Sequence, residues 1–199
     1  MSPLHDINQQ LIAQYGETTD KGTTYSSLDF YSKYMESKRS NVKLLEIGIG
    51  IGGSALLWSK YFDQFQIDMF DSAEGFSSPA PFQEQLLTTP NLILQFNKNS
   101  LEEQIATKFQ DNYYDFIIDD STNDLRNHWQ NMLNFWPKLA VGGVYFMENI
   151  LEPTAVEQIG IHFKLYFDHI KQNYEVENYL GNRIKDGNLN DVMIALRKL

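Results

Sequence analysis

Short apolar runs alternate along the chain with longer segments in which apolar residues recur at helical spacing. Leu4, Ile7 and Leu11 share one face of a helix predicted over residues 4–15, and a second helix is predicted over 25–37. The short runs predict buried strands of the kind that parallel sheets contain. Strands are predicted at 42–47, 67–70, 92–96, 116–118 and 144–147, and helices at 55–62, from 101, at 125–139 and at 155–171.

Two further strand-like runs follow at 174–180 and 192–196, with Gly187 and polar residues between them. This arrangement predicts an antiparallel hairpin. Strands that alternate with helices indicate a parallel sheet with helices on both faces. We therefore predict an α/β, Rossmann-like fold whose seven-stranded sheet is mostly parallel and includes a C-terminal antiparallel hairpin.

Polar residues lie where the predicted strands end. In open parallel sheets, ligands bind outside the carboxyl ends of the strands. These positions therefore predict a binding site along one edge of the sheet. The polar residues concerned are Glu46, Asp71, Asn97, Asp119, Asp120, Glu148 and Asn149.

The strongest chemical signal is a glycine-rich loop after the first strand. Gly48, Gly50 and Gly53 match the G-x-G-x-x-G pattern of nicotinamide and flavin proteins. Glu46 precedes them, and its carboxylate would repel a pyrophosphate but attract a sulfonium or ammonium group. Asp71, at the end of the second strand, can accept hydrogen bonds from ribose hydroxyls in either kind of site. The alternative is that both acids are solvated strand ends.

The composition bears on the number of domains, the classes of binding partner and the location of the protein. Hydrophobic residues make up 42% of the 199 residues, which predicts one domain over 1–199, with N-terminal helices or a lid over 1–40 and a core over 41–199. A net charge of −10 argues against nucleic acid and anionic membranes as partners. The chain has no cysteine, no long apolar run and no signal-peptide pattern, so we expect a cytoplasmic protein. A homo-oligomer is compatible with this sequence.

Several motifs resemble those of a known enzyme family. The run 44–54 resembles the glycine loop of class I S-adenosylmethionine-dependent methyltransferases. The segments 19–22, 117–123 and 142–149 resemble motifs of the macrocin and mycinamicin sugar O-methyltransferase group. The resemblance implies a class I methyltransferase fold, S-adenosylmethionine as the cofactor, and a divalent cation such as Mg²⁺.

The resemblance also implies roles for individual residues. Metal binding is expected at Asp120, Glu148 and Asn149, and Asn123 lies where the group has a catalytic histidine. Cofactor binding is expected at Thr19, Lys21, Tyr25, Glu46, Gly48, Gly50, Ser54, Asp71, Ser72, Asn99, Ser100 and Asp119.

Two departures from the group concern catalysis. Asn123 replaces the histidine and cannot act as a general base, and Asn149 replaces an acidic metal ligand. Asp120, Asp124 and His128 are the candidates for removing a proton. Asp124 and His128 are four residues apart and share a face of the predicted helix. The alternative role for Asp120 and Asp124 is to cap the following helix, and the alternative for His128 is an ordinary helix-surface position.

These observations predict an O-methyltransferase that acts on a hydroxyl of a sugar, in a glycan or a glycoside. Three alternatives stay open from the sequence. They are an O-methyltransferase of another small hydroxylated metabolite, a nicotinamide-dependent oxidoreductase, and a methyltransferase fold kept for binding without catalysis.

Overall fold

The computed structural model describes residues 2–22, 27–121, 124–150, 153–180, 184–185, 188–189 and 192–199. The chain forms two compact units, residues 1–99 and 100–199. No helix within the described ranges has both the length and the apolar character needed to cross a membrane.

The first unit contains three parallel strands and the helices that connect them. Its helices are α1 (Pro3–Tyr15), α2 (Ser27–Met35), α3 (Gly53–Tyr61) and α4 (Gln83–Thr88), with a 3₁₀ turn at Asp20–Gly22, and its strands are β1 (Val42–Ile47), β2 (Phe65–Phe70) and β3 (Leu92–Gln95). The apolar residues of β1 are all buried, as expected for a strand covered on both faces. The short α4 was not predicted, because Leu86 is its one buried residue and gives no helical periodicity.

The second unit contains the longest strand of the sheet and two long helices. Its helices are α5 (Glu103–Ala106), α6 (Leu125–Phe135) and α7 (Pro153–Ile170), with a 3₁₀ turn at Trp136–Lys138, and its strands are β4 (Tyr114–Asp119), β5 (Leu139–Ile150), β6 (Tyr174–Leu180), β7 (Ile184–Lys185), β8 (Asn188–Leu189) and β9 (Val192–Lys198). The helix predicted over 125–139 ends earlier because Pro137 cannot continue an α-helix.

Strand β5 begins five residues earlier than the predicted start at Val144 and runs through Gly142 and Gly143. Gly142 has φ +82°, which favours glycine. A Cβ atom on Gly143 would lie 2.9 Å from the Asp115 carbonyl oxygen, so β4 and β5 approach closely there. The glycines therefore form part of the strand instead of a turn that precedes it.

The strands form a seven-stranded sheet in the order β3-β2-β1-β4-β5-β9-β6, and β7 and β8 form a separate two-stranded sheet. Strands β4 and β5 are parallel, whereas β9 is antiparallel to both β5 and β6. The predicted sheet and its C-terminal hairpin are thus confirmed. Gly187, expected between the hairpin strands, lies outside the described residues.

Candidate functional site

The glycine loop of the first unit begins where β1 and β2 end together. Ile47 lies opposite Phe70 in the parallel register, and the Gly48 amide donates to the Phe70 carbonyl over 2.9 Å. Gly48, Gly50 and Gly52 have φ values of +110°, +56° and +90°. Residues other than glycine rarely adopt positive φ values, so the loop conformation depends on these glycines.

Asp71 holds the loop from the end of β2. Its Oδ2 accepts from the Ile49 amide over 2.9 Å, and its Oδ1 accepts from the Ala73 amide over 2.9 Å. The Gly50 amide also donates to Oδ2, over 3.4 Å. An ionised carboxylate offers about two lone-pair sites on each oxygen, so Oδ1 keeps capacity for a further donor. The Asp71 side chain can therefore fix the loop and still accept a hydrogen bond from a ribose hydroxyl through Oδ1.

The segment before α2 packs on the first turn of α3. A Cβ atom on Gly53 would lie 1.6 Å from the Thr18 carbonyl oxygen, so only glycine fits there. Thr19 and Ser54 are buried beside this crossing. The predicted lid region is therefore in direct contact with the helix that follows the glycine loop.

Glu46 is fully buried and already faces a positive charge. Its Oε1 lies 3.6 Å from the Lys21 Nζ, and its Oε2 accepts from the Trp58 indole N–H over 2.7 Å. Both charged side chains have 1% exposure or less. Because Lys21 neutralises Glu46, the repulsion of a pyrophosphate inferred from the sequence is weaker than expected. Neither the Lys21 pairing nor the Trp58 hydrogen bond was predicted from the sequence.

The remaining cofactor candidates of the first unit have varied surroundings. Ser72 and Asn99 are exposed. Asn97 has φ +57°, and its amide donates to the Ala73 carbonyl, which ties the end of β3 to the loop after β2. Tyr25 lies outside the described residues. The assignment of these side chains to a cofactor stays a prediction.

Asp119 is the centre of a buried network in the second unit. His128 Nδ1 lies 3.0 Å from its Oδ2, and the Tyr145 hydroxyl donates to the same oxygen over 3.3 Å. Ser121 Oγ donates to Oδ1 over 2.6 Å, and Asn131 Nδ2 donates to both oxygens. Burial, with Asp119 beside it, raises the pKa of Tyr145 well above its usual value. Four protein side chains thus satisfy this carboxylate.

His128 is fully buried, so the alternative of an ordinary helix-surface position is wrong. Position 128 turns inward because α6 packs the face that carries Met132 and Phe135 against the sheet. Asn131 was missed in the sequence, although its spacing of three residues from His128 on one helix face indicates that the two belong together.

Ser100 and Asp124 have structural roles that hydrogen bonds define. The Ser100 carbonyl accepts from Asn134 Nδ2 over 2.9 Å. Asp124 is the N-cap of α6, and its Oδ1 accepts from the Arg126 amide over 2.8 Å. Asp124 is exposed and His128 is buried, and a role for either in removing a proton stays a prediction. Asn123 lies outside the described residues.

The proposed metal ligands come together at the ends of β4 and β5. Asp119 lies opposite Met147 in the register, so Asp120 and Glu148 follow at the same level. One carboxylate oxygen of each lies within 4.8 Å of the other. Asn149 has φ +59°, and its Nδ2 donates to Asp120 Oδ1 over 2.7 Å.

This donor set fits a divalent cation. Two carboxylates and an amide oxygen are hard oxygen ligands of the type that Mg²⁺ prefers. Rotation of the Asn149 amide about its terminal bond would exchange the nitrogen for the oxygen, and the two atoms are nearly equivalent in shape. The Asp119 and Asp120 carboxylates also have different hydrogen-bond partners, since Ser121 donates to Asp119 and Asn149 donates to Asp120.

Comparison with known proteins extends these observations. No protein-family model matches the chain, and no curated protein matches it. Among solved structures, MycE methyltransferase from the mycinamycin biosynthetic pathway, in complex with Mg, SAH and mycinamycin VI, matches with a TM-score of 0.70 and 17% identity. The match covers 99% of this chain and 54% of that one, so the chain spans about half the length of MycE.

Two further structures have lower scores. A SAM-dependent O-methyltransferase from Thermotoga maritima matches with a TM-score of 0.59 and 13% identity, covering 86% of this chain and 64% of that one. The CurJ carbon methyltransferase matches with a TM-score of 0.57 and 15% identity, covering 98% and 59%. The fold is that of the class I methyltransferases. Methyltransferases of this fold differ in the atom that they methylate, so the fold leaves the acceptor open.

Proposed function

We propose that the chain is an S-adenosylmethionine-dependent O-methyltransferase that acts on a sugar hydroxyl with the help of a divalent cation. The observation that carries the proposal is strand β9, which lies antiparallel between β5 and β6. Dinucleotide-binding domains of the Rossmann type continue with parallel strands at this place. The glycine loop of the first unit therefore belongs to a methyltransferase sheet, which disfavours the oxidoreductase alternative.

Donor binding is assigned to the first unit. The cofactor would supply a methyl group on a sulfonium centre, which makes it reactive toward an oxygen nucleophile. Asp71 would accept a ribose hydroxyl through Oδ1, which has only the Ala73 amide as a donor among the described residues, while Oδ2 holds the Ile49 and Gly50 amides. Gly50 has open space around its Cβ position, so the loop backbone can approach the cofactor closely.

Acceptor activation is assigned to the second unit. The acceptor oxygen forms the new C–O bond while the S–C bond breaks, and the hydroxyl proton must leave. Asp120, which is half-buried, can take that proton directly. With Glu148 and Asn149 it can instead hold a divalent cation, which would lower the pKa of a bound hydroxyl.

The sugar acceptor rests on two supports. The segments 117–123 and 142–149 resemble motifs of sugar O-methyltransferases, and MycE was solved with mycinamycin VI. A panel of deoxysugar glycosides, catechols and small hydroxylated metabolites, each tested for methyl transfer from labelled S-adenosylmethionine, discriminates between the acceptor classes. Transfer to a catechol alone would contradict the sugar assignment.

Titration calorimetry with S-adenosylmethionine and NAD tests the donor. We expect saturable binding of S-adenosylmethionine and none of NAD. The Asp71→Asn variant is expected to bind about 10- to 100-fold more weakly, because it loses hydrogen bonds to a charged group. Asp63→Ala is the matched control, since Asp63 is an exposed acid just before β2. Saturable NAD binding without S-adenosylmethionine binding would overturn the proposal.

The role of Asp120 is tested by chelation. If Asp120 binds a cation, EDTA abolishes methyl transfer and added Mg²⁺ restores it. Activity that EDTA leaves unchanged would assign Asp120 as the base and contradict the metal assignment. If Asp120 is the base, Asp120→Asn is expected to lower kcat about 10²- to 10⁴-fold, the usual contribution of proton transfer by a positioned group.

A further inference from the structure

The loop after β4 is held in place by an amide from helix α6. Asn131 is fully buried, and its Nδ2 donates to Ser121 Oγ over 2.9 Å. The same nitrogen lies 3.1 Å from Asp119 Oδ1 and 3.2 Å from Asp119 Oδ2. Ser121 Oγ in turn donates to Asp119 Oδ1 over 2.6 Å. Asn131 therefore contacts the residues on both sides of Asp120.

The orientation of the Asn131 amide is fixed by its surroundings. Three acceptor atoms converge on Nδ2, so rotation of the amide would place its oxygen against the Asp119 carboxylate. Within the described part of the chain, Asn131 Oδ1 is buried and accepts no hydrogen bond. A buried acceptor without a donor costs about 1–3 kcal/mol. An aliphatic side chain would avoid that cost but would lose the three contacts that Nδ2 makes.

We propose that Asn131 is a positioning residue for Asp120. Asn131 binds the Asp119 carboxylate and the Ser121 hydroxyl, the side chains on either side of Asp120, and so restrains the backbone between them. This restraint sets the direction of the Asp120 carboxylate, whose Oδ1 accepts a hydrogen bond from Asn149 Nδ2. The importance of this role for catalysis rests on the proposed function.

The functional consequence concerns the geometry of the oxygen ligands. Groups that orient a metal ligand without touching the metal commonly change metal affinity about 10- to 100-fold when they are removed. Loss of the Asn131 amide is expected to let the Asp120 side chain turn away from Glu148. The site would then bind a cation weakly, although every ligand is still present.

Mn²⁺ binding to the full chain, measured by electron paramagnetic resonance, tests the inference. We expect Asn131→Leu to weaken Mn²⁺ binding at least about 10-fold and to change the spectrum of the bound ion. The matched control is Asn134→Leu on the same helix, because Asn134 is also a buried amide but donates to the Ser100 carbonyl. The control is expected to bind Mn²⁺ like the wild type.

A double variant separates positioning from general destabilisation. If Asn131 acts through Ser121, the single variant Ser121→Ala also weakens Mn²⁺ binding. The double variant Ser121→Ala/Asn131→Leu is then expected to lose less Mn²⁺ affinity than the fold-losses of the two single variants multiplied together. Strictly multiplicative losses, or equal losses in Asn134→Leu, would overturn the inference.

The same samples keep the two proposals distinguishable. The glycine loop and Asp71 of the proposed donor site belong to the first unit, so Asn131→Leu is expected to weaken S-adenosylmethionine binding much less than Mn²⁺ binding. A wild type that binds S-adenosylmethionine but no Mn²⁺ would overturn the positioning role and leave the methyltransferase proposal intact. A wild type that binds Mn²⁺ but no S-adenosylmethionine would overturn the methyltransferase proposal, and a weaker Mn²⁺ site in Asn131→Leu would still support the positioning role.

Discussion

The Lys21 ammonium and the Glu46 carboxylate lie 3.6 Å apart with almost no exposed surface. Removing two charges from water carries a large desolvation cost, which their attraction and the Trp58 hydrogen bond offset. Breaking such a pair is much more costly than replacing it entirely, because a lone buried charge is left behind. The segment that carries Lys21 is therefore tied to the end of β1 by electrostatics as well as by packing.

This pair gives the first prediction. Lys21→Met is expected to lower the free energy of unfolding by about 3–5 kcal/mol, because the buried Glu46 carboxylate loses the ammonium group that lies 3.6 Å from it. The double variant Lys21→Met/Glu46→Gln is expected to recover most of the loss, since the glutamine oxygen can still accept from Trp58. Urea denaturation gives both values, with Lys60→Met as the exposed control on α3. A single variant as stable as the control would contradict the buried pair.

The sequence predicted that Glu46 faces the positive charge of a cofactor, whereas in the structure its Oε1 pairs with Lys21 Nζ. The position of Glu46 two residues before Gly48 marks the end of a buried strand, and that much follows from the pattern. Lys21 is 25 residues earlier, in a polar loop without periodicity. The sequence pattern therefore does not indicate that Lys21 and Glu46 form a pair, which only the folded structure shows. The helix-surface alternative for His128 was wrong for a similar reason. Its partner Asp119 lies on a different element, so the sequence pattern did not indicate that His128 is buried.

At the scale of elements, glycines decide where backbone segments meet. At Gly53 a side chain would collide with the Thr18 carbonyl, whereas Gly160 in α7 has nothing within 4 Å of its Cβ position. The first glycine allows two segments of the first unit to touch. The second has no contact that requires glycine, and a glycine inside a helix costs stability relative to alanine.

These two glycines predict opposite effects for the same substitution. Gly53→Ala is expected to lower the free energy of unfolding by about 1–3 kcal/mol through overpacking and to speed amide exchange in residues 18–22. Gly160→Ala is expected to raise it by about 0.5–1 kcal/mol. Thermal unfolding and hydrogen exchange measure both. Equal effects in the two variants would mean that Thr18 does not pack on α3 as described.

At the scale of the whole molecule, the hydrophobic pattern predicted the sheet better than the site. Alternating runs specified the strands, the crossover helices and the hairpin, because burial on both faces leaves a direct mark on the sequence. The length of β5 was missed, since Gly142 and Gly143 normally indicate a turn. The Asp119 network was missed as a network, because hydrogen bonds between separate elements leave no periodic trace.

The burial of Tyr145, together with Asp119 beside it, contributes to the loss of stability at alkaline pH. The folded protein raises the pKa of Tyr145 above its unfolded value of 10.0, so folding favours the neutral phenol. This contribution is fully present below pH 10.0 and is lost as the pH rises above it, because the unfolded state then releases a proton that the folded state keeps. Urea titrations between about pH 9 and 11 are expected to show a shallower decline for Tyr145→Phe than for the wild type. Parallel declines in the two proteins would contradict a buried neutral Tyr145.

Strand β9 lies between β5 and β6, although both of these precede it along the chain. A growing polypeptide therefore presents β5 and β6 before the strand that joins them exists. Until residues 192–198 arrive, each has an unfilled row of amides and carbonyls that can pair with the wrong partner. The sheet of the second unit is thus completed late, and the pairing of β9 with β5 joins segments that are distant in sequence, which is expected to slow folding.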